Sequence, residues 1–192
     1  MHFLDCHAII TRIGELNLRA TGASLFAVVA FAVGVTVPIV FAAPSTLSVP
    51  SGLNIAVLNA LNDVRSAHKL VALTLNAQLT RAATKHSQEM LLRGYFSHDS
   101  PNGGAYWKRI AEWYKQGAYS DWSVGENILY SSPNVDAAQA VQWWMQSPEH
   151  RANILTPSWR EIGIAAIHAD SAAGPYRNSP VTVITTDFGV RR

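Results

Sequence analysis

The stretch AVQWWMQSPEHRANIL, residues 140–155, decides the fold because it contains two helix signals with a boundary between them. Its first part continues an apolar stripe with helical spacing. Ser147 and Pro148 follow, and they are residues favoured at the N-cap and at the first position of a helix. The sequence therefore predicts two consecutive helices. The second runs from Pro148 to about Leu155 and includes His150.

Upstream of this stretch, apolar residues recur at helical spacing in three further segments. They predict helices over about Leu53 to His68, about Asn76 to Arg93 and about Ala105 to Lys115. The helix that enters the deciding stretch can be capped by Asn134 or Asp136. The first two thirds of the chain after the N-terminal region are therefore predicted to be helical.

Downstream, the hydrophobic period changes from helical to alternating. Glu161–His168 and Val181–Val190 are rich in β-forming residues, and a loop of about a dozen residues joins them. This pattern is typical of an antiparallel hairpin. Helices followed by an antiparallel sheet predict the α+β class.

Composition excludes several kinds of protein. The 192 residues carry a net charge of +2 and no dense basic run, so the sequence predicts no nucleic-acid partner. The single cysteine, Cys6, excludes an internal disulfide framework and any cysteine-rich metal site. The part of the chain after residue 43 contains no cysteine, so its fold must be stabilised by packing.

Residues 23–43 contain no charge, and Arg12 and Arg19 precede them. This pattern predicts a secretory signal peptide cleaved after Ala42 or Ala43. The run is also long enough to span a bilayer, so an uncleaved membrane anchor is the alternative. Both interpretations predict a secreted or extracytoplasmic protein, in which residues 1–43 are the targeting or anchoring segment. Residues 44–52 are then a linker, and residues 53–192 form one domain.

Three polar residues are candidates for a functional site. His98, Glu126 and His150 each lie beside Ser, Pro, Gly or Asn, where a helix or strand signal breaks, and loop-borne polar residues often carry function. The sequence contains no general nucleophile, zinc-protease or phosphate-loop motif. His86 lies on the apolar stripe of the second helix, where a core histidine bonded to the backbone is the expected role. Taken alone, these residues predict an exported α+β domain with a His/Glu cluster.

Six segments in this order resemble the CAP superfamily, which comprises cysteine-rich secretory proteins, antigen 5 and pathogenesis-related 1 proteins, in its cysteine-poor bacterial form. They are residues 61–90, YFSHDSP (95–101), GENI (125–128), AVQWWMQSPEHRANIL (140–155), EIGIAA (161–166) and TDFG (186–189). The resemblance covers essentially all of residues 55–190. It implies a three-layer α-β-α sandwich, with a small antiparallel sheet between helices and a large cleft.

In that family two histidines and two glutamates line the cleft. By motif, His98 and His150 match the two histidines and Glu126 matches one glutamate. Ser147 stands where many relatives carry the second glutamate, and the neighbouring Glu149 is a candidate substitute. The resemblance thus implies a ligand-binding cleft with His98, Glu126, His150 and, as the alternative position, Glu149.

Two classes of function are compatible with such a site. The first, and the one the sequence favours, is a non-enzymatic binding module for a lipid-like, glycan or peptide ligand at the cell envelope. The second is a metal-dependent hydrolase in which His98 and His150 bind a divalent metal such as zinc and Glu126 is the base. A structural role for the cluster, which holds the helical layers together, is a third hypothesis.

The tryptophans are a further feature of the sequence. Trp144 is predicted to lie in the core because it belongs to the apolar stripe of its helix. Trp113 and Trp122 lie in a loop-rich stretch, and packing at the core boundary is their expected role. The alternative is that they line a rim that faces a glycan or a lipid.

Overall fold

The computed structural model describes residues 7–11 and 46–192. In chain order, the strands and helices are β1 His7–Thr11, β2 Leu47–Ser48, α1 Leu53–Ala67, β3 Thr74–Leu75, α2 Ala77–Arg93, α3 Tyr106–Trp113, β4 Trp122–Ser131, α4 Ala137–Gln146, α5 Pro148–Ile154, β5 Glu161–Ala172 and β6 Ser179–Arg191. Most of the predicted targeting segment, with its cleavage site, lies outside the described residues. Among the described residues, no helix is long and apolar enough to cross a membrane.

The strands form one sheet in the order β1-β4-β6-β5-β2, and β3 pairs with β5 in parallel. The long strands β4, β6 and β5 are antiparallel to their neighbours. At one edge, β1 pairs antiparallel with β4 and places Ile9 opposite Glu126. β1 also lies against α5.

Helices cover both faces of this sheet. On one face, α1 and α4 pack against alternate residues of the strands, and Trp144 and Trp159 are the largest side chains of that core. On the other face, α2 and α3 enclose smaller apolar clusters around Met90 and Ile110. Two helical layers around an antiparallel sheet confirm the predicted α+β sandwich.

The helix boundaries follow from the residues at their ends. The Asn76 side chain accepts hydrogen bonds from two backbone N–H groups in the first turn of α2, and Gly94 ends that helix with a φ of 64°. The Asp136 carboxylate accepts a hydrogen bond from the Gln139 N–H and caps α4. Of the two capping residues that the sequence offered for α4, the structure uses Asp136.

The structure corrects two expectations about the strands. Residues 122–131, which gave no strand signal, form β4, so Glu126 lies in the middle of a strand and not in a loop. Strands β5 and β6 are longer than predicted, and only residues 173–178 join them. The strand signal of β4 is missing because its central residues are buried on both faces, which removes the simple alternation of polar and apolar residues.

One apolar residue of α1 lies outside the core, and a cation of the same helix lies inside it. Ile55 is half exposed, whereas Val57, Leu61 and Arg65 are fully buried. The Arg65 guanidinium donates hydrogen bonds to the carbonyl oxygens of Val71, Ile154, Thr156 and Trp159. A buried cation thus joins α1 to the end of α5 and to the loop before β5.

Candidate functional site

Glu126 is the centre of a buried polar cluster between β4 and the layer of α2 and α3. Its side chain is fully buried, and its Oε1 accepts a hydrogen bond from His98 Nδ1 at 2.7 Å. Its Oε2 forms an ion pair with the Arg109 guanidinium. Arg109 also donates a hydrogen bond to the His98 carbonyl oxygen at 3.0 Å. Both carboxylate oxygens of Glu126 are therefore engaged by protein groups.

The charges in this cluster keep Glu126 ionised. Burial by itself would raise the pKa of Glu126, but Arg109 first, and then His86 and His98, lower it to about 2. The buried Arg109 keeps its charge for the complementary reason, because Glu126 more than offsets the effect of burial on its pKa. The two residues form a compensated ion pair inside the protein.

His86 contributes a neutral ring to the same cluster. Its Nε2 lies 2.9 Å from the Ser97 carbonyl oxygen and 3.8 Å from Glu126 Oε1. Burial is the main reason that its pKa is lowered to about 4, so the ring is uncharged near neutral pH. An uncharged ring must donate from Nε2 to the carbonyl. His86 is thus a core histidine bonded to the backbone, the role that its position on the apolar stripe indicates.

Asp187 is the second carboxyl group of the cluster. It lies directly opposite Glu126 in the pairing of β4 with β6 and is fully buried. Its carboxyl group interacts with that of Glu126 across the two strands. Burial, and then the negative charge of Glu126, raise the pKa of Asp187 well above its usual range. The pair therefore retains a proton in preference to carrying two charges.

Sequence reasoning missed Arg109 and Asp187. Asp187 is the only acidic residue in the strand VTVITTDFGV, and a lone acid in a run of apolar and threonine residues is a signal that could have indicated it. The local sequence gave less indication that Arg109 is buried, because a cation in a short amphipathic helix is usually exposed. Nothing in the local sequence pairs it with Glu126.

His150 occupies a different position. It is buried in the first turn of α5, and its Nδ1 lies 2.7 Å from Ser147 Oγ. Its carbonyl oxygen accepts a hydrogen bond from Asn127, whose side chain points to the face of β4 opposite to Glu126. Within the described part of the chain, no hydrogen bond or ion pair joins His150 to His98 or Glu126. The structure thus brings His98 and Glu126 together, and it places His150 at the start of α5 with its ring against Ser147.

Glu149 is the candidate for the second glutamate of the cleft. It lies on the exposed side of α5 and accepts a hydrogen bond from Ser147 Oγ. Ser147, which stands where relatives carry that glutamate, is the residue that contacts the His150 ring. In this chain a hydroxyl group therefore orients His150.

The motif residues around His150 have a packing role. Asn153 Nδ2 donates to Asn127 Oδ1 at 2.9 Å, and Trp159 Nε1 donates to Asn153. Gly125 leaves room for this amide, since a Cβ atom at its position would lie 2.6 Å from Asn153 Oδ1. Gly125 leaves space for the Asn153 side chain, and Asn127 accepts a hydrogen bond from it. These contacts join β4 to α5.

The donor atoms do not form a metal-binding set. Across the described ranges, no group of three or more His, Cys, Asp or Glu side chains is placed to hold a metal ion. The Nδ1 of His98 is already occupied by Glu126. The predicted pair of His98 and His150 therefore lacks the third ligand that a catalytic zinc ion requires.

Comparison with known proteins identifies the family. Residues 58–185 match the cysteine-rich secretory protein family, called CAP. The chain belongs to this family. Within it, the chain is 30% identical over 130 residues to the uncharacterized protein YkwD of Bacillus subtilis, covering 66% of this chain and 48% of YkwD. It is 32% identical over 108 residues to the uncharacterized membrane protein YlbC of B. subtilis, covering 56% of this chain and 30% of YlbC.

Solved structures show the same CAP fold. An extracellular protein of Bacillus anthracis str. Ames that contains an SCP domain superimposes with a TM-score of 0.54 at 28% identity, covering 73% of this chain and 41% of that protein. An outer surface protein of Borrelia burgdorferi superimposes with a TM-score of 0.60 at 15% identity, covering 77% of this chain and 99% of that protein. The chain spans less than half the length of its curated Bacillus relatives.

Proposed function

We propose that this chain is an exported CAP domain that works as a binding module and not as an enzyme. Its ligand is a lipid-like, glycan or peptide molecule at the cell envelope or outside the cell. Export is supported by the uncharged run of residues 23–43 and by the extracellular and outer-surface relatives among the solved structures. If the predicted cleavage removes residues 1–43, β1 is lost and β4 becomes an edge strand of the sheet.

The observation that carries this proposal is the state of Glu126. A general base must reach a proton on water or substrate, and its pKa must lie near the working pH. Glu126 is fully buried, its two oxygens contact His98 and Arg109, and its pKa is lowered to about 2. A carboxylate in this state is a poor base. It is well suited to hold the loop at His98, helix α3 and strand β4 in one arrangement.

The hydrolase alternative has less support. Its mechanism needs a metal held by His98 and His150, and these side chains belong to no three-ligand set among the described residues. We therefore derive no catalytic step through a metal ion. Ser97, next to His98, does not form a nucleophile pair with it either, because adjacent side chains need a third orienting group and the sequence shows no oxyanion motif.

Native mass spectrometry tests the binding proposal. The chain is expressed in a bacterial host with its N-terminal segment intact and purified from the medium and the membrane fraction. We expect a mass in excess of the polypeptide under native conditions that is lost on denaturation, and its fragmentation identifies the ligand class. A native mass equal to that of the polypeptide, together with turnover of an ester or peptide substrate, would contradict the proposal.

A further inference from the structure

A surface groove lies on the outer side of α2, away from the sheet and from the cluster around Glu126. Its volume is about 290 Å³, and it is lined by Thr80, Arg81, Thr84, Lys85, Gln88 and Trp113. The residues of α2 that face the sheet are a different set, including Leu79, Ala82 and His86. Packing of the core therefore does not account for the composition of this groove.

The floor of the groove is a polar stripe along the helix. Thr80, Thr84 and Gln88 are spaced four residues apart, so they lie on one face of α2 and extend over about 12 Å at a rise of 1.5 Å per residue. The hydroxyl groups of the two threonines donate to the backbone carbonyls of Asn76 and Thr80. Their oxygens therefore face the groove as acceptors, and the Gln88 amide can both donate and accept.

The wall of the groove is the indole of Trp113, at the end of α3. Its Nε1 is buried and has no hydrogen-bond partner among the described residues, so the ring and not its N–H group is what lines the groove. Trp122, the other aromatic residue of the predicted rim, is different, because its Nε1 donates to the Tyr114 carbonyl oxygen at 2.8 Å. The structure thus separates the two tryptophans. Trp122 is held by the backbone, whereas the Trp113 indole lines the groove with its Nε1 buried.

Two cations flank the polar stripe. Arg81 forms no salt bridge to any described residue, and Lys85 forms one to Glu112 at 3.1 Å with both side chains half exposed. Exposed pairs of this kind contribute little stability and exchange readily with another anion. The groove therefore carries positive charge that the protein does not fully neutralise.

We propose that this groove binds a segment of an acidic polysaccharide. An aromatic wall can pack against the apolar face of a sugar ring, the row of hydroxyl and amide groups suits sugar hydroxyls, and Arg81 and Lys85 suit carboxylate groups. The groove is open and linear, a shape that fits a stretch of polymer better than a compact small molecule. The proposal names a ligand for the binding module and rests on that proposed function.

Affinity electrophoresis tests it. The full chain in a non-ionic detergent is run through gels that contain polygalacturonic acid, an acidic polysaccharide, or dextran, a neutral one. We expect retardation by polygalacturonic acid alone, and loss of most of it at high salt because the charges are exposed. Trp113→Ala, which removes the aromatic wall, and Arg81→Gln, which removes an exposed cation, should each weaken binding about five- to tenfold.

Matched controls make the result specific. Trp107→Ala removes the ring of a second partly buried tryptophan outside the groove, and Arg151→Gln removes an exposed cation on α5. Both should bind like the wild type. No retardation of the wild type, equal retardation by dextran, or equal effects of groove and control variants would overturn the proposal. If native mass spectrometry then shows another bound molecule, the binding module stands and only this ligand assignment fails.

Discussion

Glu126 and Asp187 face each other across strands β4 and β6, and their pKa values move in opposite directions. Arg109 and the hydrogen bond from His98 stabilise the charge of Glu126, and that charge makes ionisation of Asp187 unfavourable. The pair therefore carries one negative charge, balanced by Arg109. This arrangement explains how two acids can lie fully buried in the centre of the domain.

Replacement of Asp187 by Asn should change how stability depends on pH. Since the pKa of Asp187 is raised on folding, its contribution to stability is present below its unfolded value of about 4 and is lost as the pH rises. Asp187→Asn should therefore gain stability over the wild type as the pH rises above about 4, measured by urea denaturation at a series of pH values. Asp63→Asn, on the exposed side of α1, is the control. If the unfolding free energies of the wild type and of Asp187→Asn changed in parallel with pH, the raised pKa of Asp187 would be contradicted.

The pair of Glu126 and Arg109 should show strong coupling in a double-mutant cycle. Glu126→Gln leaves a buried guanidinium without its carboxylate, and Arg109→Met leaves the carboxylate without its cation. Each should lower the free energy of unfolding by about 3–5 kcal/mol. The double variant should lose clearly less than the sum, because neither charge remains. Additive losses, measured by urea denaturation, would show that the two residues do not act as a pair.

Because the pKa of His86 is lowered on folding, we expect the folded protein to lose stability in mild acid. Its pKa is lowered on folding to about 4, so the unfolded chain takes up a proton on His86 before the folded protein does. Stability should fall as the pH drops from about 6.5 towards 4, with a slope of at most about 1.4 kcal/mol per pH unit from this residue. His86→Gln, which can still donate to the Ser97 carbonyl, should flatten that slope. His68→Gln, at the exposed end of α1, should leave it unchanged, and an unaltered slope in His86→Gln would refute the prediction.

Gly125 predicts a steric effect on the contact between β4 and α5. A Cβ atom there would meet Asn153 Oδ1 at 2.6 Å and the Trp159 ring at 3.0 Å. Gly125→Ala should therefore lower the free energy of unfolding by about 1–3 kcal/mol. Combining it with Asn153→Ala should cost less than the sum of the two single changes, because the smaller side chain relieves the clash. If Gly125→Ala had the same free energy of unfolding as the wild type, α5 could move to make room for the added Cβ atom and the prediction would be wrong.

Much of the fold could be predicted because its signals are local. The cap at Asn76, the glycine at the end of α2 and the Ser147-Pro148 boundary each act on adjacent residues, and the structure places helices accordingly. That His98 and Glu126 belong to one site was predicted from the order of the family motifs and not from the local spacing of residues. Strand β4 could not be predicted because it contains the polar residues Glu126 and Asn127. Their side chains are buried and bond to groups on helices.

The parts that could not be predicted depend on partners far apart in the sequence. Arg109 and Asp187 become functional neighbours of Glu126 only when α3 and β6 pack against β4. Arg65 is buried because four carbonyl groups from the loops around α5 surround it, and on the sequence it reads as an exposed helix cation. Hydrogen bonds and ion pairs between residues far apart in the sequence produce no periodic pattern from which they could be predicted.

Hydrolysis assays on Glu126→Gln test the central claim most directly. The wild type and the variant are assayed with p-nitrophenyl acetate and with casein, and the unfolding free energy of both is measured in urea. If the cluster is a scaffold of a binding module, the wild type shows no turnover above the Glu126→Gln background, and the variant loses about 3–5 kcal/mol of stability. Turnover that disappears in Glu126→Gln, with unchanged unfolding free energy, would contradict the claim and establish Glu126 as a catalytic base.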